Sequence, residues 1–246
     1  MLLELDGLGR SYSLRWAVRD VHVRIDASQC WAVLGANGSG KSTLLSLILG
    51  AIRPTAGEAR LDGRRMRRGA IAARRRMMLL TPDLSLTAGQ LSMHFGFVAE
   101  AYGVELEPAT EVFTHWIDQF GLSDFRKRSL DTRQNQGLSR GLRCKIWLAT
   151  LFAIRPPIWL LDEPHQMGLD AFGLETLEAE MNAHVLRQNG TIVFSTQWPK
   201  HAHRLASHAI VLHKNRPAFA GEISEMPRPA SLSDPVLAAL LRGQPE

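Results

Sequence analysis

The chain has 246 residues, 45% of them hydrophobic, which is enough for one large domain or for a core with an inserted lobe. Its two cysteines, Cys30 and Cys144, lie in apolar stretches without disulfide-framework or metal-site spacing, so we expect buried thiols in a reducing compartment. The longest apolar runs are far shorter than the roughly 18 to 20 residues that span a bilayer, and no signal-peptide pattern is visible. We therefore expect a cytoplasmic protein whose membrane role, if any, requires a partner.

Arginine clustering accounts for much of the net charge of +5. The cluster consists of Arg64, Arg65, Arg67, Arg68, Arg74, Arg75 and Arg76. Phosphates of nucleic acid or lipid are one target for such a cluster. Because aromatic side chains for base stacking are not interleaved with it, we favour a solvated connector and expect no nucleic-acid partner.

Short apolar segments predict strands through most of the chain. They fall at residues 2–6, 18–25, 30–34, 58–61, 77–80, 158–161, 191–195 and 209–213. Helical patterns separate the later strands, which favours an α/β fold with a mostly parallel sheet covered by helices on both faces. The strands near the amino terminus are expected to add an antiparallel layer.

Strand signals stop between residues 87 and 154, where helices are predicted at 87–102, 109–120 and 141–154. Thr87 is a candidate N-cap and Pro108 lies near a helix start. We predict a single domain over residues 1–221, with a core at about 1–86 and 155–221 and a helical lobe at about 87–154. Residues 222–246 are expected to form a tail with one short helix.

A glycine-rich loop follows the predicted strand 30–34, and it fits the phosphate-loop pattern G, four residues, G-K-S. Its glycines let successive backbone N–H groups point at an anion, so a triphosphate is the expected ligand. The predicted nucleotide-binding residues are Gly35, Asn37, Gly38, Ser39, Gly40, Lys41, Ser42 and Thr43. Lys41 is expected to contact the β- and γ-phosphates, Ser42 to ligate Mg²⁺, and Thr43 to contact the α-phosphate.

Two acids end the apolar strand predicted at 158–161, which places them at the phosphate crevice of such a sheet. Asp162 is expected to hold Mg²⁺, directly or through water. Glu163 is the predicted catalytic base, because a carboxylate within hydrogen-bond reach can orient and deprotonate the attacking water.

A third motif narrows the reaction class, since phosphate loops also occur in kinases and GTPases. Residues 138–142 read Leu-Ser-Arg-Gly-Leu, stand before a predicted helix, and resemble the LSGGQ-type signature of ATP-binding cassette (ABC) ATPases. The resemblance extends over about residues 3–221 and implies a phosphate-loop NTPase that pairs with a second ABC ATPase subunit, identical or unlike. It implies that Ser139, Arg140 and Gly141 face the ATP held by the partner's phosphate loop.

The resemblance also assigns roles outside these motifs. Tyr12 is similar to the aromatic residue that stacks on adenine, with Trp16 as the alternative. Asp170, which ends Gly168-Leu169-Asp170, resembles the residue that contacts the partner subunit.

Several positions depart from the family pattern. The segment after strand 77–80 lacks the expected metal-reaching glutamine, for which Asp83 is the alternative. Gln197 stands where a switch histidine is expected and cannot carry a proton near neutral pH. Residues 162–170 are one residue longer than usual. His165 is either a substitute for the switch or an interface or exposed histidine, and we favour the second interpretation. Because Gln197 replaces the switch histidine, we expect slowed hydrolysis.

The leading functional prediction is an ATP-hydrolysing subunit of a multi-subunit, exporter-like ABC transporter. It would lie peripherally on the inner face of the cell membrane, bound to an integral membrane subunit. The alternative is a weakly hydrolysing, ATP-gated clamp or regulatory cassette.

Overall fold

The structure, a computed structural model, describes residues 2–87, 89–126 and 138–227 together with residues 238 and 241. It divides into two compact units. The first contains Met1–Leu79, Pro157–Pro164 and Asn182–Glu246, and the second contains Leu80–Pro156 and His165–Met181. The predicted α/β class is confirmed. The second unit includes residues 165–181, which the sequence interpretation assigned to the core.

The strands follow the predicted order, with two strands added, one at residues 64–65 and one at residues 216–222. They are β1 (Leu2–Tyr12), β2 (Arg15–Asp26), β3 (Cys30–Leu34), β4 (Ala56–Leu61), β5 (Arg64–Arg65), β6 (Met77–Leu80), β7 (Ile158–Leu161), β8 (Thr191–Thr196), β9 (His208–His213) and β10 (Arg216–Glu222). The helices are α1 (Lys41–Ile48), α2 (Ile71–Arg74), α3 (Leu91–Tyr102), α4 (Leu106–Gln119), α5 (Arg140–Ile154), α6 (Ala171–Gln188) and α7 (Pro199–Leu205). Within the described residues, no helix has the length and apolar character needed to cross a bilayer.

One sheet of the first unit is antiparallel, with the order β2-β1-β4-β5. Strand β2 alternates buried and exposed residues, so that Val21, Val23 and Ile25 enter the core while the residues between them face solvent. This period of two is expected for a sheet with one covered face. The predicted antiparallel layer is therefore present.

The second sheet has the order β10-β9-β3-β8-β7-β6, and β9, β3, β8 and β7 run parallel. Strands β3, β7 and β8 are buried along their whole length, which explains their continuous apolar sequences. Leu34 pairs with Thr196, and Leu161 pairs with Phe194. The carboxyl ends of these neighbouring strands therefore meet at one edge of the sheet.

Helices dominate the second unit, and aromatic side chains fill its interior. Phe95 of α3 stacks on Phe113 of α4 with ring centroids 4.4 Å apart, and Trp116 meets Phe152 of α5 edge-on at 4.9 Å. Such pairs stabilise a core beyond the area they bury. The helical lobe predicted from sequence has its own packed centre.

The predicted N-cap at Thr87 is wrong. Helix α3 begins after Gln90, and the Thr87 N–H instead donates to Nδ1 of His94 at 3.3 Å. Burial lowers the pKa of His94 to about 4, so its ring is neutral and able to accept this bond. The tertiary contact with His94 outweighs the local capping preference of the threonine.

Strand β10 was not predicted. Its residues alternate between exposed and half-buried, and it contains Pro217 at an edge position, where proline is tolerated. Antiparallel pairing with β9 determines its conformation. The helix expected in the tail lies largely outside the described residues.

Candidate functional site

The edge formed by β3, β8 and β7 gathers most of the residues predicted to act on a nucleotide. The phosphate loop follows Leu34 of β3, the two acids follow Leu161 of β7, and Gln197 follows Thr196 of β8. Parallel strands bring their carboxyl ends together, which is where such sheets bind ligands. Motifs far apart in sequence are therefore neighbours in the first unit.

Backbone conformation explains two glycines of the phosphate loop. Gly40 precedes α1 with φ at 100°, and a Cβ there would lie 2.1 Å from the Ala17 carbonyl oxygen of β2. Gly38 also has a positive φ, of 77°. Both positions require backbone that other residues rarely adopt, and Gly40 also allows the loop to pack against β2.

Asn215, in the turn between β9 and β10, also holds this loop. Its Nδ2 donates to the Ala17 carbonyl at 2.9 Å and to the Gly38 carbonyl at 3.4 Å. Sequence reasoning missed Asn215 because the contact comes from a turn 177 residues further along the chain.

Lys41 is the centre of the site. Its side chain is 5% exposed, and Nζ donates to the carbonyl oxygens of Gly35 at 2.9 Å and Ala36 at 3.2 Å. Nζ also lies 3.0 Å from Oε1 of Glu163, whose side chain is 14% exposed. The structure therefore brings the predicted phosphate-binding lysine and the predicted base into one ion pair.

Ser195, near the end of β8, links the two acids. Its hydroxyl donates to Oδ1 of Asp162 at 2.6 Å and accepts the Glu163 backbone N–H at 2.9 Å. Ser195 is completely buried, and Glu163 has the left-handed φ of 49°. Strained backbone of this kind persists where surrounding bonds hold it. Ser195 is a functional candidate that sequence reasoning did not find.

The residues present fit a triphosphate and Mg²⁺. Ser39 Oγ is buried without a hydrogen-bond partner among the described residues, as expected for a group facing a polar ligand. Ser42, exposed at the start of α1, and the carboxylate of Asp162 are hard oxygen donors of the kind Mg²⁺ prefers. Asn37 is exposed on the loop, and Thr43 is half-buried.

Tyr12 ends β1 and is 51% exposed. The guanidinium carbon of Arg10 lies 4.7 Å from its ring centroid, a cation–π arrangement. Trp16 is half-buried and packs against Gly9, where a Cβ would lie 3.1 Å from the indole. The greater exposure of Tyr12 makes it the better-placed candidate for stacking.

The predicted signature residues lie in the second unit at the start of α5. Ser139 is the N-cap of this helix, and its Oγ accepts the Leu142 N–H at 3.2 Å. A Cβ at Gly141 would lie 2.2 Å from the Gly168 carbonyl oxygen. Arg140, exposed in the first turn of α5, is located between these two residues.

Asp170 lies in the segment before α6 and accepts the Gly173 N–H at 2.9 Å. Lys145 Nζ of α5 is 2.7 Å from its Oδ2. The Lys145 hydrogen bond, followed by the Gly173 N–H, lowers the pKa of Asp170 below its usual range. The Asp170 side chain is 59% exposed. Solvent therefore screens its ion pair with Lys145, and the carboxylate is accessible for an interface.

Other candidates lie elsewhere. Asp83 is exposed in the turn after β6, and His165 Nε2 lies 3.1 Å from Glu178 Oε1 within the second unit. In the described part of the chain, no cluster of three or more His, Cys, Asp or Glu residues suits a metal ion. Cys30 and Cys144 are buried free thiols, and burial raises the pKa of each to about 12, as predicted for inert thiols.

Replacing Ser195 by alanine is expected to lower ATP turnover by about ten- to a hundredfold, because both acids lose their shared support. The matched control is Thr191→Val, which removes another buried hydroxyl from the same strand, bonded to the Asp26 carbonyl at 3.2 Å. Both variants should lose about 1–3 kcal/mol of unfolding free energy, measured in urea. Equal turnover in the two variants would show that Ser195 is only structural.

Gly141→Ala is expected to destabilise the chain by about 1–3 kcal/mol, because its methyl group meets backbone that cannot give way. Gly96→Ala in α3 is the matched control, since a Cβ there meets nothing within 4 Å. That variant should be neutral or stabilising by up to about 1 kcal/mol. Chemical denaturation distinguishes them, and equal unfolding free energies would refute the packing role of Gly141.

Comparison with known proteins identifies the family. Residues 18–166 match the model of the ABC transporter family. The chain belongs to this family. As an ABC transporter protein of the ATP-binding type, it is 25% identical over 238 residues to the high-affinity branched-chain amino acid transport ATP-binding protein BraF of Pseudomonas aeruginosa, covering 89% of this chain and 91% of BraF.

Two further comparisons agree with this assignment. The daunorubicin/doxorubicin resistance ATP-binding protein DrrA of Streptomyces peucetius is 28% identical over 225 residues, covering 91% of this ABC protein and 66% of DrrA. A solved ATP-binding subunit of an ABC transporter superposes with a TM-score of 0.77 at 25% identity, covering 92% of this chain and 91% of that one.

Proposed function

We propose that this chain hydrolyses ATP and thereby drives a separate integral membrane subunit of a multi-subunit transporter. The observation that carries the proposal is the convergence of Lys41, Asp162 and Glu163 at one sheet edge, with Ser195 holding both acids. Family membership supplies ATP binding, and this geometry supports hydrolysis.

The Lys41–Glu163 ion pair suggests how ATP binding prepares the site. Phosphate oxygens compete with the Glu163 carboxylate for the buried ammonium group of Lys41. Once displaced, Glu163 can accept a proton from the attacking water. ATP binding and activation of the base are then the same event, in which Lys41 exchanges the Glu163 carboxylate for phosphate oxygens.

Ser42 and Asp162 are the residues that would hold Mg²⁺. When bound, this ion neutralises developing charge on the phosphate oxygens. Ser195 keeps Asp162 oriented and fixes the backbone from which Glu163 projects. Tyr12 would stack on adenine, while Gly35, Gly38 and Gly40 allow close approach of the loop to the phosphates.

Pairing with a second cassette, identical or unlike, would complete the site. The N-terminus of α5 offers Ser139 and the Gly141 N–H to the γ-phosphate held by the partner, with Arg140 beside them. Asp170, fixed by Lys145 and exposed, would contact the partner subunit. ATP would then hold the two cassettes together.

The membrane-associated role rests on the family and on relatives described as transport or resistance ATP-binding proteins. We propose that the chain lies on the inner face of the cell membrane through a partner membrane subunit. We favour export as the direction of transport, because one relative, DrrA, is described as a drug-resistance ATP-binding protein.

Size measurement of Glu163→Gln tests whether ATP holds two cassettes together. The substitution removes the base but leaves Lys41 and Asp162, so ATP should remain bound and hold two cassettes together. Light scattering after size exclusion, on the chain and on its complex with any co-isolated cassette, should show pairing with ATP and none with ADP. A mass unchanged by ATP in both samples would refute this ATP-dependent pairing.

An ATP-gated clamp that hydrolyses slowly is the second candidate, and Gln197 motivates it. Gln197 follows β8 at the shared sheet edge, where the family resemblance implies a histidine. If Gln197 only positions phosphate, Gln197→His should raise turnover about tenfold, below the 10²–10⁴ typical of acid–base groups. Gln188→His in α6 is the control. An unchanged steady-state rate for Gln197→His would mean that this position has no switch role.

A further inference from the structure

A second concave site lies in the first unit, beyond the carboxyl end of α1. This arginine pocket has a volume of about 680 Å³. It is lined by Arg10, Gly50, Ile52, Arg53, Pro54, Arg65, Met66, Arg67, Arg68 and Gly69. The phosphate loop lies at the opposite end of α1, so the pocket is separate from the nucleotide motif.

The end of α1 fixes the shape of this pocket. The Gly50 N–H bonds to the Leu47 carbonyl at 3.0 Å and the Ala51 N–H to the Ser46 carbonyl at 2.9 Å, which is a Schellman termination. Gly50 has a φ of 70°, and a Cβ there would lie 2.7 Å from the Arg67 backbone nitrogen. The backbone at Gly50 and the backbone at Arg67, which both line the pocket, are therefore held close together.

Positive charge in this region exceeds negative charge by a wide margin. Residues 50–76 contain nine arginines and two acids, and both acids are already paired. Glu58 contacts Arg60 and Arg65, and Asp62 Oδ2 lies 2.7 Å from Nη1 of Arg76. The carboxylates of the segment are therefore not available to the remaining arginines.

Two arginines of the pocket retain donors for a ligand. Within the described part of the chain, Arg53 and Arg67 are exposed and have no carboxylate within ion-pair distance. Arg10 donates from Nη1 to the Arg53 carbonyl at 3.0 Å and lies over the ring of Tyr12, so it supports the backbone of Arg53 beside the pocket. By contrast, Arg68 is already bound to the Ala51 carbonyl at 3.0 Å.

We propose that the arginine pocket binds a ligand carrying two or more phosphate groups. Guanidinium groups match phosphate oxygens in paired hydrogen bonds, and a multiply charged anion relieves the repulsion among the arginines. Among the described residues that line the pocket, none is aromatic and able to stack on bases, which disfavours single-stranded nucleic acid. A free phosphorylated metabolite and the headgroup of a phospholipid both present this chemistry.

Calorimetric titration with tripolyphosphate tests the site. Every sample is the full chain with Lys41→Ala, so that the phosphate loop contributes as little as possible to tripolyphosphate binding. Arg53→Gln with Arg67→Gln is the pocket variant. The matched control is Arg64→Gln with Arg187→Gln, which removes the same charge from exposed positions outside the pocket.

The pocket variant should weaken saturable tripolyphosphate binding at least about tenfold, and the control less than about twofold. Equal weakening in both would reduce the effect to general electrostatic attraction and overturn the proposal. If Lys41→Ala itself fails to reduce tripolyphosphate binding in the native background, the proposed nucleotide role is weakened, while the pocket comparison stands.

Vesicle flotation distinguishes the two sources of phosphate. Binding to phosphatidylcholine vesicles containing cardiolipin, lost in the pocket variant, would identify a membrane headgroup. Tripolyphosphate binding without vesicle binding would identify a soluble phosphorylated ligand. Failure of both probes to bind saturably would overturn the proposal, as would binding of a uridine oligonucleotide alone.

Discussion

Glu163→Gln is expected to lower the ATP hydrolysis rate at least about a hundredfold, the scale on which a positioned general base contributes. The amide cannot accept the proton of the attacking water. It also competes less well than a carboxylate for the ammonium of Lys41, which lies 3.0 Å from Glu163. ATP affinity should therefore stay equal or rise, even as turnover falls.

Phosphate release and nucleotide binding, measured on the same preparation, check whether turnover falls while ATP affinity is kept. Glu175→Gln, on α6 in the second unit, is the control and should hydrolyse ATP normally. Turnover of Glu163→Gln within about threefold of the native rate would be incompatible with a role as the base, given the usual size of such effects.

Lys41→Ala is expected to weaken ATP binding by about a hundredfold or more, since two or more charge-assisted hydrogen bonds of about 1.5–3 kcal/mol each are lost. The substitution also leaves Glu163, only 14% exposed, without the cation beside it. Removing one member of a poorly solvated pair is destabilising, so the nucleotide-free chain should unfold at a lower temperature.

Equilibrium titration with ATP and thermal unfolding measure the two effects of Lys41→Ala separately. Lys200→Ala in α7 is the control, because it removes the same side chain and charge from an exposed position. Native ATP affinity in a folded Lys41→Ala chain would be strong grounds for placing the nucleotide elsewhere.

Local motifs made the central part of the site predictable. The phosphate loop, Asp162 and Glu163 each depend on a short strand followed by a short polar sequence, and β3 and β7 lie where the apolar runs indicated. Continuous burial of a strand leaves a recognisable apolar run. The ends of such runs could therefore be located from the sequence.

Residues that support the site were less predictable because they arrive from distant parts of the chain. Ser195 is 32 residues from Glu163, and Asn215 is 177 residues from Gly38. Neither belongs to a local pattern, and a buried serine in a strand has no sequence mark that separates it from a packing residue. The Lys41–Glu163 pair likewise appears only when β3 and β7 are placed in one sheet.

Edge elements were missed for a different reason. Strand β10 has a weakly apolar sequence, and its conformation depends on pairing with β9. The pairs of β1 and β2 continue as far as Tyr12 and Arg15, although their sequences near the hairpin are polar. In both cases backbone pairing, rather than side-chain burial, extends the strand.

The most direct test of the transporter role is co-purification of the tagged chain from detergent-solubilised membranes of its native host, followed by an assay of Mg²⁺-dependent ATP hydrolysis. We expect a polytopic membrane protein in the complex and hydrolysis that both Lys41→Ala and Glu163→Gln abolish. Soluble partners only, with ATP bound but barely hydrolysed, would contradict the transporter role and favour the ATP-gated clamp.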